Sequence, residues 1–462
     1  MGSPNPQDYA ATHVDYTPPP LTEAEEAELE AMYAEMDALH LKPLWTQIGD
    51  LMPNQPTPAA AAHKWEWAKL YALAKQSGKL IGLGRGGERR AIGLANPALG
   101  GNAYIAPTLW AAIQYLAPGE NAPEHRHSQN AFRFVIEDEG VWTVVNGDAV
   151  PMRRGDFLLT PGWNFHGHHN IATEPMAWLD GLDIPFVHDM DAGFFEYGTE
   201  HLTDESTPEL SRSERLWAHP GLRPIAFPGP WDSSPLGRYA WPHTDTALAD
   251  QLALEDAGFP GVVEPGHAGI RFTNPTTGED VMPTIRAEFH RLRPGAETAP
   301  LYEVGNRVFQ VFEGSCTIAV GEETYELTRG DVVNIPSWKR WTIGAGSEGP
   351  TSSASLTSPS SSNSSSPVRT PRKEGNSCAL SRSETPQPPP IPRPVLQPAP
   401  WPPAWNPTPP PWSFPASRTS ESCSPPMGGR PPPNRPLARP WSSSRPTSPP
   451  WFPTPGRSSA WA

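Results

Sequence analysis

The sequence is short of cysteine. Only Cys316, Cys378 and Cys423 occur among 462 residues, too few for a disulfide framework or a cysteine-based zinc site, and a reducing, cytoplasmic setting is expected. No apolar run approaches the roughly 18 residues of a membrane-spanning helix. The N-terminal residues have no basic n-region and no apolar h-region, so no secretory signal is expected, and Pro6 stands where N-myristoylation needs Ser or Thr. Positive charge is scarce in the first 350 residues, with 24 Lys+Arg against 47 Asp+Glu. A formal −23 repels a phosphate backbone, so no nucleic acid and no membrane partner is expected. Residues 351–462 lack aspartate altogether, and their 11 Lys+Arg and 3 Glu give +8. That segment also holds 30 of the 62 prolines and 24 serines. The net charge of −15 therefore averages two unlike polymers, an acidic body and a basic Pro/Ser/Arg tail.

What is present sorts by period. Thr22-Glu23-Ala24-Glu25 fits a capping box, and Leu29, Met32, Tyr33, Met36 and Leu39 come after it at helical spacing, which predicts an amphipathic helix over 22–40. A second helix is predicted over 63–77, with Trp67, Leu70, Tyr71 and Ala74 on one face and Gly78 as its stop. Both precede any β pattern and are expected to pack on the outside of the β region. From about residue 104 the period becomes two. Short apolar runs at 109–116, 131–136, 141–145, 157–160 and 176–184 alternate with Pro-Gly, Asn-Gly and Arg-Gly-Asp turns, as in an all-β unit. A similar pattern returns over 285–343. Between them, 200–265 is Pro-rich and reads as a linker with one helix near 244–256.

The two β regions are copies. Pro118-Gly119 matches Pro294-Gly295 at an offset of 176, and Glu139-Gly140 matches Glu313-Gly314 at 174. Arg154-Gly155-Asp156 matches Arg329-Gly330-Asp331, and Pro161 matches Pro336, both at 175. Two copies make a duplicated unit rather than a repeat array.

In the first copy, Gly119 is followed by His125-Arg126-His127. Residues i and i+2 of a strand point to one face, so both imidazoles can enter one site. Gly155-Asp156 then leads through Pro161 to His166, with Asn170 beyond it. A lone His-x-His is more often surface or core polarity. The whole spaced pattern instead predicts a facial His125, His127, His166 metal site with positions open for substrate. Three histidines suit zinc as well as iron. His168 lies two residues after His166 and shares its strand face.

This two-motif pattern resembles the cupins, which are double-sheet jelly rolls. Residues 84–101 (GRGGERRAIGLANPALGG), 109–134 (LWAAIQYLAPGENAPEHRHSQNAFRF), 153–170 (RRGDFLLTPGWNFHGHHN) and 178–186 (WLDGLDIPF) resemble the gentisate 1,2-dioxygenase family, which includes salicylate and 1-hydroxy-2-naphthoate dioxygenases. The resemblance extends over about 20–345. It implies Fe(II), a small aromatic hydroxy-acid substrate with O2, and a homo-oligomer, often a tetramer. It also implies Arg85, Arg89 and Arg133 against the substrate carboxylate, for which the guanidinium fork is suited, with Trp110 and Gln114 along the ring. It further implies that His168 hydrogen-bonds or deprotonates a substrate hydroxyl, or shapes oxygen binding, and that Asp180 orients a ligand histidine. Many cupins add a Glu ligand after the second histidine, but Ala131 and Phe132 stand there. The neutral ligand set leaves the ion's charge to balance a chelating hydroxy acid.

In the second copy Leu301, Glu303 and Trp341 stand opposite the three ligands, so a metal-free, supporting barrel is expected. Its last strand should fall near 353–361, but the Ser-rich sequence there does not read as a strand. Two readings of the tail compete. One is a native Pro-rich segment that binds a partner through stretches such as Pro388-Pro389-Pro390. The other, favoured because the break cuts a required strand, is a frame-shifted translation.

The expected architecture is mainly β, a bicupin of two jelly-roll barrels with N-terminal helices. Its parts are an arm and helices over 1–100, a metal-binding cupin over 101–195, a linker over 196–280, a degenerate, truncated cupin over 281–346 and a disordered tail over 347–462. The expected function is Fe(II)-dependent ring cleavage of gentisate to maleylpyruvate. The alternatives are the same chemistry on salicylate or 1-hydroxy-2-naphthoate, or a non-catalytic bicupin binding protein.

Overall fold

The structure is a computed structural model, and it describes residues 19–357 apart from 54, 83–84, 86–89, 138, 199–208, 228 and 348–350. The N-terminal region contributes α1 (Glu23–Ala38), α2 (Ile48–Leu51), β1 (His63–Trp65) and α3 (Trp67–Leu80). The first barrel comprises β2 (Ala91–Gly93), β3 (Trp110–Leu116), β4 (Asn121–His127), β5 (Ala131–Glu137), β6 (Glu139–Val145), β7 (Asp148–Arg153), β8 (Phe157–Thr160), β9 (His166–Asn170) and β10 (Met176–Leu182). The connection carries α4 (Ile184–Asp189), β11 (Phe195–Tyr197), α5 (Arg212–Trp217), β12 (Arg238–Tyr239) and α6 (Trp241–Asp256). The second barrel is β13 (His267–Arg271), β14 (Arg286–Leu292), β15 (Leu301–Tyr302), β16 (Arg307–Glu313), β17 (Ser315–Val320), β18 (Glu323–Thr328), β19 (Val332–Ile335), β20 (Arg340–Ala345) and β21 (Thr351–Thr357).

The capping box forms: Glu25 N donates to Thr22 Oγ1 at 3.3 Å and Thr22 N to Glu25 Oε2 at 2.8 Å. The expected packing of this helix is absent, since no residue of α1 is buried and Leu39 lies open to solvent. The predicted second helix divides into β1 and α3. Trp67, Leu70 and Ala74 of α3 are buried as the spacing suggested. Gly78 does not stop it; a Cβ there would press on the Tyr115 ring, so the glycine serves close packing inside the helix.

Each barrel pairs two antiparallel sheets. The first has β12-β8-β5-β10-β3-β2 over β11-β4-β9-β6-β7, and the second has β1-β19-β16-β21-β14-β13 over β15-β20-β17-β18. The linker is thus drawn into the sheets: β11 and β12 extend the first barrel, and β13 opens the second well before residue 281. The outer faces of the two six-stranded sheets meet in a shared core. There Phe134 stands 5.6 Å from both Phe289 and Phe312, with α3 and α6 contributing Trp67, Leu70 and Leu248.

One expectation is overturned. Residues 351–357 form β21, a central strand between β14 and β16, the place that β10 holds between β5 and β3. The second barrel is therefore not truncated at 346. Alternation explains the strand. Ala354 and Leu356 face the shared core, while Ser355 Oγ accepts from Arg307 inside the barrel. The missing strand that favoured a frame shift is accordingly present. The rest of the tail, with both of its readings and its disorder, lies outside the described residues.

The interior of the second barrel is filled where the first has its histidines. Glu303 holds Arg307 through two bonds, at 2.8 and 2.9 Å, and Glu288 adds a third at 2.6 Å. Burial works against the Arg307 charge, but Glu288 and Glu303 outweigh it and hold the guanidinium above its ordinary range. Cys316 is buried beside this core, and burial pushes its thiol up to about 12, so it packs as a small inert side chain.

Candidate metal centre

The histidines meet because β4 and β9 are ladder neighbours. His125 pairs with His166 after an irregularity between Ala122 and His125, and β6 closes the other side with Val145 opposite His166 and Thr143 opposite His168. Alternation turns His125, His127, His166 and His168 inward. It turns His169 outward, where the ring stacks on Trp142 at 4.6 Å. One nitrogen each of His125, His127 and His166 lies within 4.8 Å of the others, and all three side chains are buried. Among the described residues this is the one such cluster.

Each ring is oriented by the backbone. Nδ1 of His125, His127 and His166 lies 2.9 Å from the carbonyl oxygens of Pro123, Gln129 and Asn164 respectively. A carbonyl can only accept, so each Nδ1 carries the proton and each Nε2 keeps its lone pair. His166 Nε2 is buried with no hydrogen-bond partner among protein atoms, which a metal ion would supply. Burial, then the charges of His125, Arg133 and His127, hold His166 well below its ordinary value, in the neutral form that ligation needs. The residues therefore fit a divalent metal held by three neutral nitrogens.

Arg133 and Asp180 face each other across β5 and β10, with Arg133 Nε 3.2 Å from Asp180 Oδ1 and Arg133 also donating to Thr160 Oγ1. Burial lowers the Arg133 value, and Asp180 opposes that loss of charge. Asp180, expected to orient a ligand histidine, pairs with Arg133, and the three ligand Nδ1 atoms face backbone carbonyls. Trp110 and Gln114 lie half-buried on β3, on the face shared with Ala112, which is opposite Asp180. His168 is fully buried, its Nδ1 has no hydrogen-bond partner, and its ring lies 5.3 Å from Trp178. Burial and then Arg133 keep it well below its ordinary value. Arg85 is exposed in a turn after α3. Arg89 lies outside the described residues.

Asn170, the last residue of the motif, is structural: its Nδ2 donates to Leu116 O at 3.0 Å and Glu174 O at 3.1 Å. Sequence reasoning missed β11. Phe195 lies opposite His127 with its ring 5.4 Å from His125, and Tyr197 lies opposite His125, so two aromatic side chains flank the site. A three-residue edge strand inside a Pro-rich stretch gives no periodic signal.

The fold and the site define a bicupin with one three-histidine centre, the arrangement of a cupin dioxygenase. The cupin domain profile matches residues 112–182. The chain is 58% identical over 310 residues to a gentisate 1,2-dioxygenase of Streptomyces sp., covering 67% of this chain and 86% of that protein. It is 32% identical over 327 residues to a 1-hydroxy-2-naphthoate 1,2-dioxygenase of Nocardioides sp. strain KP7, covering 69% and 81%. The crystal structure of a salicylate 1,2-dioxygenase from Pseudaminobacter salicylatoxidans superposes with a TM-score of 0.69 at 58% identity, covering 73% of this chain and 95% of that one. The chain belongs to the gentisate 1,2-dioxygenase family.

Proposed function

We propose that this chain is an Fe(II)-dependent dioxygenase that opens gentisate between its carboxyl-bearing and adjacent hydroxyl-bearing carbons, both atoms of O2 entering the product maleylpyruvate. The observation that carries it is a His125, His127, His166 cluster that, among the described residues, includes no carboxylate, in a chain 58% identical to a named gentisate 1,2-dioxygenase. His125, His127 and His166 would hold the metal, which supplies a Lewis-acidic, redox-active centre. Arg133, kept charged by Asp180, meets the substrate carboxylate. Trp110 and Gln114 border the ring. His168 Nδ1, buried and without another partner, holds or takes the proton of a substrate hydroxyl. Arg85 is a further candidate for the carboxylate, and the enzyme works as a cytoplasmic homo-oligomer.

A salicylate reading has its own support in the 58% identity to a salicylate 1,2-dioxygenase, which has also been crystallised as an adduct with gentisate. The test is anaerobic Fe(II) loading followed by oxygen uptake with gentisate, salicylate and 1-hydroxy-2-naphthoate. Uptake with gentisate is expected. Uptake with salicylate alone would replace the substrate, and none with any of them despite bound iron would leave a non-catalytic binding protein.

Asp180 should act through Arg133. Asp180→Asn keeps the shape and removes the charge, so KM for the hydroxy acid is expected to rise about tenfold, about 1.4 kcal/mol, with bound iron unchanged. Loss of iron in that variant would place Asp180 with the metal instead.

A further inference from the structure

The Arg-Gly-Asp turns recur for a reason that lies outside either barrel alone. Asp156 in the first barrel accepts from Trp241 N at 2.9 Å, the first residue of α6, and from Arg238 Nε at 2.6 Å on β12. Asp331 in the second accepts from Trp67 N at 2.8 Å, the first residue of α3, and pairs with Lys64 Nζ at 3.2 Å on β1. Each carboxylate satisfies an orphan donor at a helix start, where negative charge is also favoured. Gly155 and Gly330 have φ of +87° and +90°, and a Cβ on either would collide with the indole of Trp241 or Trp67. The arginines cross between barrels: Arg154 Nη2 donates to Glu313 Oε2 at 2.6 Å, and Arg329 Nη2 to Glu137 Oε2 at 2.7 Å.

These are paired positions of the duplication. Trp67 and Trp241, like Lys64 and Arg238, are 174 residues apart, Asp156 and Asp331 are 175 apart, and Glu137 and Glu313 are 176 apart. The repeated unit is therefore strand, helix and barrel, over 63–182 and 238–357, longer than the landmarks of the β regions imply. The two units clasp each other. Each arm places its strand on the other unit's barrel, β1 on β19 and β12 on β8. It lays its helix on its own barrel, α3 against β2 and β3 and α6 against β13 and β14.

We propose that the barrel without the histidines positions a wall of the other barrel's pocket through this arm, with Asp331 as the positioning residue. Helix α3 begins at the Asp331 carboxylate and ends against β3, where Gly78 admits the Tyr115 ring. Arg90 fastens that end, donating to Ile81 O at 2.8 Å, pairing with Glu120 and lying over Tyr115 at 5.6 Å. Tyr115 faces the helix, and Trp110 and Gln114 project from the opposite face of the same strand. A shift of α3 thus moves the strand that carries both. The inference rests on the proposed substrate reading of Trp110 and Gln114. Helix α6 of the second arm bears on β13 and β14, which carry no proposed substrate residue, while its strand β12 lies on β8 beside β5, so Asp156→Asn is the control for loosening of a helix start.

The experiment compares Asp331→Asn and Asp156→Asn with the parent, each as the full Fe(II)-loaded chain, by amide hydrogen exchange and by oxygen uptake with gentisate. Exchange should rise over 67–80 in Asp331→Asn and over 241–256 in Asp156→Asn. KM should rise about fivefold in Asp331→Asn with kcat within about twofold, and stay within about twofold in Asp156→Asn. An unchanged KM despite faster exchange over α3, or an equal rise in both variants, overturns the proposal. If Asp331→Asn does not fold, Lys64→Gln removes only the partly exposed partner and should give the same split. A parent that consumes no oxygen with any of the three hydroxy acids sinks the proposed activity, a different failure. The split is then read from the anaerobic Kd of gentisate, and absence of binding overturns the positioning role as well.

Discussion

A chain that ends at Ser347 is expected not to fold, whereas one that ends at Ser358 should fold and unfold cooperatively. The difference between them is β21. Its backbone is laddered on both sides, to β14 from Arg286 to Leu292 and to β16 from Arg307 to Glu313. Without it two inner strands become open edges in the middle of a six-stranded sheet. Leu356 and Ala354 also leave the shared core, and a deletion of leucine size alone costs about 2–5 kcal/mol. Arg307 loses the Ser355 hydroxyl. Each lost ladder bond adds about 1 kcal/mol, against a total stability of about 5–15 kcal/mol for an ordinary domain. Because the two barrels share one core, the damage should reach the first barrel and its metal binding as well. Soluble yield, near-ultraviolet dichroism and thermal unfolding of both truncations decide it. Native-like dichroism from the Ser347 chain would show that β21 is dispensable.

What the sequence revealed, and what it hid, depends on the kind of signal each element carries. The metal triad was legible because its chemistry needs one residue type at fixed strand spacing, and alternation then placed His127 beside His125, and His168 beside His166, on one face of each strand with no tertiary knowledge. The duplication was legible through turn residues, since Gly119, Gly155, Gly295 and Gly330 all hold positive φ that few other residues tolerate. One landmark was false: by ladder register Glu313 corresponds to Glu137, both facing the last strand of their barrel, and not to Glu139. The strand at 351–357 was hidden because small serines have weak strand propensity, and their stabilisation comes from neighbours distant in sequence. The arms were hidden for the opposite reason. The spacing of Trp67, Leu70 and Ala74 marked a helix, but nothing local says that its first N–H meets Asp331 from the far barrel. The apolar face of α1 read correctly as a helix and wrongly as a buried one, because spacing reports amphipathicity and not what covers it.

Replacing His166 should abolish the centre while leaving the barrel standing. His166→Ala removes the ligand that sits between His125 and His127, with ring centroids 4.2 and 4.9 Å away. Two imidazoles that remain cannot fix a facial site, so bound iron should fall to background and oxygen uptake by a factor of about 10³ or more. The metal-free fold should change little. The Nδ1 bond to Asn164 O is worth about 1 kcal/mol, and its loss is partly offset because the buried Nε2 had no protein partner to lose. The discriminating readout is therefore thermal: added Fe(II) should raise the unfolding temperature of the parent and not of the variant, since a ligand stabilises only the state that binds it. His169→Ala, on the opposite face of the same strand and stacked outward on Trp142, should keep the metal-dependent shift. The pH direction comes from the same burial. The folded chain holds His166 below the ordinary 6.5, so as pH falls through that value the unfolded chain takes up a proton that the folded chain refuses, and stability declines. His166→Ala should lose that contribution to the decline. A metal-dependent thermal shift that survives in His166→Ala would remove this histidine from the site and the proposed centre with it.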